Sequence, residues 1–342
     1  MSASDPKRRA AVLGAGSWGT ALAVHLSGCG HDVRLWARDA GLAGEMAARR
    51  ANPTYLPDVT FPRSLVPMAS IEEALDGARY VVLAVPSHGF RGVLQHAAAA
   101  IPAEAVIVSA TKGLEGATLL RMSEIVAVET GRDRRVVVLS GPSFAAEVAR
   151  GKPTALVAAS ASATAVCDVQ EEFRSSYFRL YGSDDVVGVE IGAALKNIIA
   201  IAAGVVESAA LGHNALAALI TRGLAEISRL SSAMGGRRET LAGLSGLGDL
   251  VLTCTGSLSR NRHVGLELGR GRSLPDILAS TRMVAEGVTT TTAALQLGAR
   301  HGVELPIAAE MAEVLAGRHT TAEAVGLLMV RKQKGELDEV AS

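Results

Sequence analysis

The chain has 342 residues, 49% of them hydrophobic and 20% charged, enough for a sizeable buried core divided over about two domains. Lys plus Arg and Asp plus Glu number 34 each, which removes any global electrostatic argument for nucleic acid or an acidic membrane surface as partner. Cys29, Cys167 and Cys254 are too few and too far apart for a disulfide framework or a zinc pattern, so a reducing cytoplasm is the simplest setting.

The segment Met1 to Arg9 is polar and has no apolar stretch after it of the kind a secretory signal needs. The longest apolar run, Ile198 to Val206, falls well short of the roughly 18 residues of a bilayer span, so no membrane span is expected.

The first apolar run, Ala10 to Leu13, turns directly into Gly14-Ala15-Gly16-Ser17-Trp18-Gly19. Ser17 to Leu26 then has a helical pattern ending near Gly28 and Gly30, and a second strand follows at Asp32 to Trp36. In such a strand, loop and helix, Gly14 allows the tight turn and Gly16 removes a side chain that would block a phosphate. Gly19 lets the helix pack closely on its strand. The helix N-terminus offers unpaired N–H groups and a partial positive charge. Together they suit the pyrophosphate of a dinucleotide; the bland alternative is a glycine turn without a ligand. After the second strand come Arg38 and Asp39. An arginine there accommodates a 2′-phosphate and an acidic residue binds free ribose hydroxyls.

Further strands are predicted at Tyr80–Val85, Ala105–Ala110, Arg135–Ser140, Thr154–Ala159 and Tyr177–Leu180. Their nearly continuous apolar character indicates a parallel, doubly wound sheet covered on both faces. Ligands of such sheets lie beyond the carboxyl ends of the strands. That selects the loops Gly14–Gly19, Ala37–Asp39, Pro86–Gly89, Thr111–Gly113 and Gly141–Phe144, and it aims Lys112 into the crevice. A solvated loop lysine is the alternative for Lys112.

After about Asp184 the rhythm becomes helical: Val187–Ala210, Asn214–Met234, Arg238–Leu244, Arg262–Gly269, Leu274–Ala279, Val288–His301, Ile307–Ala316 and Thr321–Val330. The expectation is a dinucleotide-binding domain over residues 1–184 and an all-helical domain over residues 185–342, with a charged, mobile tail from Arg331 to Ser342.

Within the first long helix Lys196 has Gly192, Ala193, Ile199 and Ala200 as its neighbours three and four positions away, so its face is apolar. A desolvated ammonium has a lowered pKa and can exchange a proton near neutral pH. The competing reading is a lysine whose stem covers apolar surface. A second polar cluster runs from Gly246 through Asp249 and Thr253 to Ser259-Arg260-Asn261-Arg262. It suits a phosphate cradle at a helix start, or merely a capped helix with an exposed arginine. The histidines show no metal-ligand spacing, and no nucleophile elbow is present. No metal is expected. A dinucleotide domain plus a buried lysine points to hydride transfer coupled to proton transfer.

The ordered motifs make the chain resemble the bacterial type of NAD(P)-dependent glycerol-3-phosphate dehydrogenase from about residue 9 to 330. Besides the Gly14–Gly19 loop they are Asn52-Pro53-Thr54-Tyr55-Leu56-Pro57, Ala84-Val85-Pro86-Ser87, Ser109-Ala110-Thr111-Lys112-Gly113-Leu114-Glu115, and Leu139-Ser140-Gly141-Pro142-Ser143-Phe144-Ala145-Ala146-Glu147. Lys196-Asn197-Ile198, Gly246-Leu247-Gly248-Asp249-Leu250, Ser259-Arg260-Asn261-Arg262 and Val284-Ala285-Glu286-Gly287 complete the set.

The resemblance implies an α/β Rossmann-like domain followed by an all-α domain, as in 6-phosphogluconate dehydrogenase-like proteins. It implies Lys196 as proton donor or acceptor, helped by Lys112 and Asp249, with Asn197 and Thr253 close by. Gly141, Ser143, Ser259, Arg260 and Asn261, with Lys112, would hold sn-glycerol 3-phosphate or dihydroxyacetone phosphate. Ser17, Trp18, Arg38, Lys112, Ala145, Arg260, Val284 and Glu286 would contact the cofactor, NADP(H) by the position of Arg38, with NAD(H) as the alternative. A cytoplasmic homodimer supplying glycerol phosphate for phospholipid synthesis is the implied setting. The rivals are a ketopantoate or hydroxy-acid reductase of the same plan, which needs a carboxylate site, and a non-catalytic dinucleotide sensor.

Overall fold

A computed structural model describes residues 8–131, 135–281, 284–332 and 335. The aliphatic runs of the first half form strands: β1 (Arg9–Leu13), β2 (Asp32–Trp36), β3 (Ala51–Asn52), β4 (Leu56–Thr60), β5 (Leu65–Met68), β6 (Tyr80–Leu83), β7 (Val106–Ser109), β8 (Val136–Ser140), β9 (Thr154–Ala159) and β10 (Phe178–Ser183). Eight of them make one sheet in the order β10-β9-β8-β7-β6-β1-β2-β5, and β3 and β4 pair separately. Along β1, Ala10 and Val12 enter the core on one face of the sheet, while Ala11 and Leu13 enter the core on the other. This period-two division explains why the strand is apolar throughout.

The sheet departs from the sequence expectation in two respects. First, β9 runs antiparallel to β8 and β10 runs parallel to β9, so the last two strands oppose the rest. Apolar patterning reports coverage of both faces, not strand direction. The link from β8 to β9 contains only the five-residue helix Ala145–Ala149. Such a helix is about 7.5 Å long, short of the roughly 17 Å needed to carry the chain back beside a strand of similar length. Second, β3, β4 and β5 are additional to the predicted set. Pro57 and Pro67 argue against strand, but β5 is the sheet edge, where a missing N–H is tolerated.

The remaining strands are parallel, so their carboxyl ends lie along one edge. The chain passes from β1 to β2 on one side and returns to β6 on the other, which places the topological switch above β1 and β6.

The helical half is built on the helix Val186–Ser208, in which every residue from Gly188 to Val206 is buried. Helices Gly212–Ala233, Asp249–Thr255, Arg260–Gly269 and Glu286–Arg300 pack against it. Ile191, Leu195 and Ile198 thereby join Ile227, Leu250, Leu297 and Met311 in one core. The helix has the length and composition to cross a membrane, yet 89% of its most apolar window is covered by the rest of the chain.

Helix ends fall within about two residues of the sequence reading. The exception is the stretch around Asp249, over which no helix is predicted. It is a π-helical turn, Leu244–Gly248, running straight into the helix Asp249–Thr255. Gly243, Gly246 and Gly248 look like loop punctuation, but π turns of this kind recur at functional sites. The tail from Arg331 lies, apart from Arg331, Lys332 and Gly335, outside the described residues.

Candidate functional site

The glycine loop has the geometry of a phosphate cradle. Gly14 has φ +118°, and a Cβ there would lie 2.6 Å from the Ala84 carbonyl oxygen; at Gly19 a Cβ would lie 1.9 Å from the Gly14 oxygen. At Gly16 it would meet nothing within 4 Å, so the glycine there leaves open space on the approach to the helix. The helix Ser17–Gly28 carries no side-chain cap at Gly16, which leaves its first N–H groups for a ligand. The indole N–H of Trp18 is also buried without a partner among the described residues.

The loop is held from behind. Asn52 Nδ2 donates to Ala15 O and to Thr20 Oγ1, both at 2.8 Å. Its Oδ1 accepts from the Tyr55 N–H at 3.1 Å, and Ser17 Oγ donates to Tyr55 O at 3.0 Å. These residues fit a dinucleotide.

Lys112, Lys196 and Asp249 come together across the two halves. Lys112 follows β7, and its Nζ donates to Gly141 O at 2.9 Å and to Asp249 Oδ2 at 2.8 Å. Lys196 lies midway along the central helix, 6% exposed. Its Nζ donates to Asp249 Oδ1 at 2.5 Å and to Thr253 Oγ1 at 2.8 Å. The Thr253 hydroxyl in turn donates to Asp249 O, one helical turn back, at 2.6 Å. Burial pushes the Lys196 ammonium down to about 8; Asp249 pulls upward and Lys112 pushes the same way as burial. For Asp249, burial alone acts upward, but the two ammonium groups outweigh it and hold the carboxyl below its ordinary range. Two cations against one anion leave the cluster net positive, as a site for an anionic substrate requires.

A second set of side chains stands beside this cluster. Asn261 Nδ2 donates to Asn197 Oδ1 at 2.9 Å, and Asn261 Oδ1 accepts from the Gly287 N–H at 2.9 Å. Ser259 caps the helix Arg260–Gly269 by accepting from the Arg262 N–H at 3.2 Å. The side chain of Arg260, in the first turn of that helix, makes no hydrogen bond among the described residues. Its side chain is exposed at one end, and desolvation by the surrounding chain lowers its pKa while the charge of Glu286 opposes that. Glu286 Oε1 accepts from the Ser87 N–H at 2.9 Å and Glu286 Oε2 from Ser87 Oγ at 2.5 Å. Ser143 Oγ donates to Gly141 O at 3.0 Å, so both stand next to Lys112. Ala145 opens its short helix and packs on the core under the glycine loop. Val284 is half-buried just before Glu286.

At the carboxyl end of β2, Arg38 is exposed. Asp39 is committed to the helix Ala40–Arg49, accepting from the Gly41 and Leu42 N–H groups at 2.8 and 3.2 Å.

Four contributors escape the sequence reading: Asn52 and Ser87 as partners of the glycine loop and of Glu286, and Arg121 with Glu190. Asn52 and Ser87 sit inside quoted motifs and Arg121 and Glu190 within six residues of one, but each makes a contact between residues at least 32 positions apart. A carboxylate at position 190 on a mostly apolar helix is the available signal, of the same kind that singles out Lys196.

Models of the NAD-dependent glycerol-3-phosphate dehydrogenase N-terminus and C-terminus match residues 9–166 and 185–326. The glycerol-3-phosphate dehydrogenase [NAD(P)+] of Koribacter versatilis is 54% identical over 284 residues, covering 82% of this chain and 84% of that protein. That of Syntrophotalea carbinolica is 52% identical over 279 residues, covering 81% and 84%. A crystal structure of glycerol-3-phosphate dehydrogenase from Coxiella burnetii superposes with a TM-score of 0.91 at 41% identity, covering 95% of this chain and 99% of that one. With both halves matched in order and the full architecture shared, the chain belongs to the NAD-dependent glycerol-3-phosphate dehydrogenase family.

Proposed function

We propose that the chain interconverts sn-glycerol 3-phosphate and dihydroxyacetone phosphate, with Lys196 as the group that moves the proton and NADP(H) as the preferred cofactor. The observation that carries this reading is the buried carboxylate of Asp249 shared between Lys196 and Lys112 at 2.5 and 2.8 Å. An ammonium poised near pH 8 is matched to proton exchange near neutral pH. A redox partner without a basic site would not need it.

In the reducing direction Lys196 Nζ gives its proton to the C2 oxygen of the ketone and becomes a neutral amine; in the oxidising direction it takes that proton from the hydroxyl. Asp249 orients the amine and Thr253 fixes a second of its hydrogen bonds. Lys112 adds positive potential where negative charge grows on the oxygen. Ser259, Arg260 and Asn261, at the start of a helix, with Gly141 and Ser143 opposite, hold the substrate phosphate. Asn197 keeps Asn261 in register. When bound, the nicotinamide supplies or accepts the hydride at C2. Gly14, Gly16, Ser17, Trp18 and Gly19 hold its pyrophosphate, with Arg38, Ala145, Val284 and Glu286 around the rest. Residues up to 184 form the dinucleotide-binding domain and supply Lys112, and those from 185 onward form the helical domain that carries Lys196 and Asp249 and adds Val284 and Glu286 to the cofactor site. A cytoplasmic homodimer that feeds phospholipid synthesis is the setting that accompanies this reading.

NADPH oxidation by the purified protein tests it. Dihydroxyacetone phosphate supports turnover, whereas ketopantoate and simple 2-oxo acids do not. Turnover restricted to a carboxylate substrate would hand the assignment to the rival reductase, and NADPH binding without turnover of any carbonyl would favour the sensor.

Because Asp39 is spent on a helix cap, Arg38 is the free group at the ribose. Arg38→Ala raises KM for NADPH by about 10-fold or more, the scale of one charge-assisted contact, and leaves KM for NADH nearly unchanged. The ratio of the two KM values in wild type and variant checks this; an unaltered ratio removes Arg38 from cofactor choice.

A further inference from the structure

Between β7 and the helix Met122–Thr130 the chain forms a finger that leaves the dinucleotide-binding half and enters the core of the helical half. Leu114 pairs with Arg121 as an isolated antiparallel bridge. Glu115 N donates to Leu120 O at 3.0 Å, and Leu119 N to Glu115 O at 2.8 Å. Leu119 takes a left-handed φ of +65° to close the tip. Leu114 and Leu119 are buried among Ile191, Ala194 and Leu195 of the central helix.

The finger is tied at both ends by charge. At its start Lys112 holds Asp249 at 2.8 Å. At its end Arg121 Nη1 donates to Glu190 Oε2 at 2.6 Å; Ser123 adds its N–H to Oε1 at 2.8 Å and its hydroxyl to Oε2 at 2.6 Å. Glu190 and Lys196 share the helix Val186–Ser208, six residues or about 9 Å apart along its axis.

We infer that Glu190, gripped by Arg121 and Ser123, is a positioning residue for the reaction: it locks the helix carrying Lys196 to the finger carrying Lys112, so that one carboxylate, Asp249, can hold both ammonium groups. This inference rests on Lys196 being the proton-transfer group. A buried ion pair is a poor device for stability alone, because well-packed apolar residues of similar volume do as well or better. What the pair adds is registry: it has one geometry, whereas the leucine contacts along the finger tolerate sliding. Burial pushes the Glu190 carboxyl up, against the pull of Arg121 and Ser123.

If the finger slips, Lys112 withdraws from Asp249 and water reaches Lys196. The groups facing Lys196 are Asp249, Lys112, Cys254 and the Thr253 hydroxyl. Losing Lys112 and gaining water both raise the pH at which Lys196 gives up its proton.

The test uses full-length enzyme, reading kcat and KM for dihydroxyacetone phosphate, the pH profile of kcat, and NADPH affinity by fluorescence. Glu190→Gln keeps the size but removes the charge, and Arg121→Met removes the opposing cation. We expect kcat to fall roughly 10- to 100-fold, the scale of a small misplacement of reacting groups, with the descending limb of the profile moved to higher pH and NADPH affinity retained. Arg121→Lys should restore part of the loss. Ser123→Ala, which deletes one hydrogen bond, should show a smaller shift of the same sign and serves if the charge variants do not fold. A wild-type limb that stays in place in folded variants, whether or not kcat falls, overturns the inference and leaves Lys196 standing. A wild-type profile without the limb removes the role of Lys196 and the inference with it.

Discussion

A Lys196→Ala enzyme is expected to lose at least about 100-fold in turnover, the scale of one general acid–base group, while its affinity for the nicotinamide cofactor stays nearly intact. The separation follows from placement. Lys196 lies in the central helix of the second half, whereas the glycine loop and its supports at Asn52 and Tyr55 lie in the first. The pH profile adds a signed check. With its ammonium lowered to about 8, Lys196 carries the proton needed for ketone reduction below that value and loses it above. Reduction therefore slows as pH rises through about 8, while oxidation of the alcohol, which needs the neutral amine, speeds up over the same range. An alanine variant that keeps most of its turnover, or that retains the same limb, contradicts the assignment.

Replacing Asp249 with asparagine is expected to damage the protein in two ways. Lys112 and Lys196 now donate to different oxygens of one carboxylate that is 1% exposed. Without the negative charge both ammonium groups face each other in a desolvated site, and breaking such a buried pair costs about 3–5 kcal/mol. Lys196 relieves part of this by releasing its proton more readily, so the limb of the reduction profile moves below its wild-type position. Turnover at neutral pH drops, on the order of 100-fold, because the acid is both misplaced and discharged. The sign distinguishes this variant from Glu190→Gln, which moves the limb upward. Denaturant unfolding at unchanged m, together with the pH profile, reads both effects. Stability within about 0.5 kcal/mol of wild type, the range of ordinary surface changes, or an unmoved limb, would show that Asp249 does not bridge the two lysines in solution.

Much of the site was legible in the sequence because its parts violate local expectation. Three glycines interrupt a strand-to-helix junction, and one lysine sits on an apolar helix face. Those signals are short in range, and a pattern along the chain contains them entirely. Arg38 and Asp39 were both visible, but the division of labour between them was not. The tertiary structure commits Asp39 to two backbone N–H groups of the next helix. The helix at Asp249 has no signal in the pattern for a related reason. Glycine density signals backbone freedom, and a π turn uses that freedom inside a helix rather than in a loop.

The sequence by itself determined the α/β first half, the helical second half, the glycine-rich turn after the first strand and a lysine on an apolar helix face, since each depends on residues within about one turn or one strand of each other. Only the tertiary structure decided that β9 and β10 run against the other strands, that Glu286 closes on Ser87, and that Lys112 and Lys196 share Asp249 while Arg121 grips Glu190. Those facts depend on contacts between groups 17 to 199 positions apart. Their energies are set by burial and by which charges meet, and neither exists until the two halves have packed.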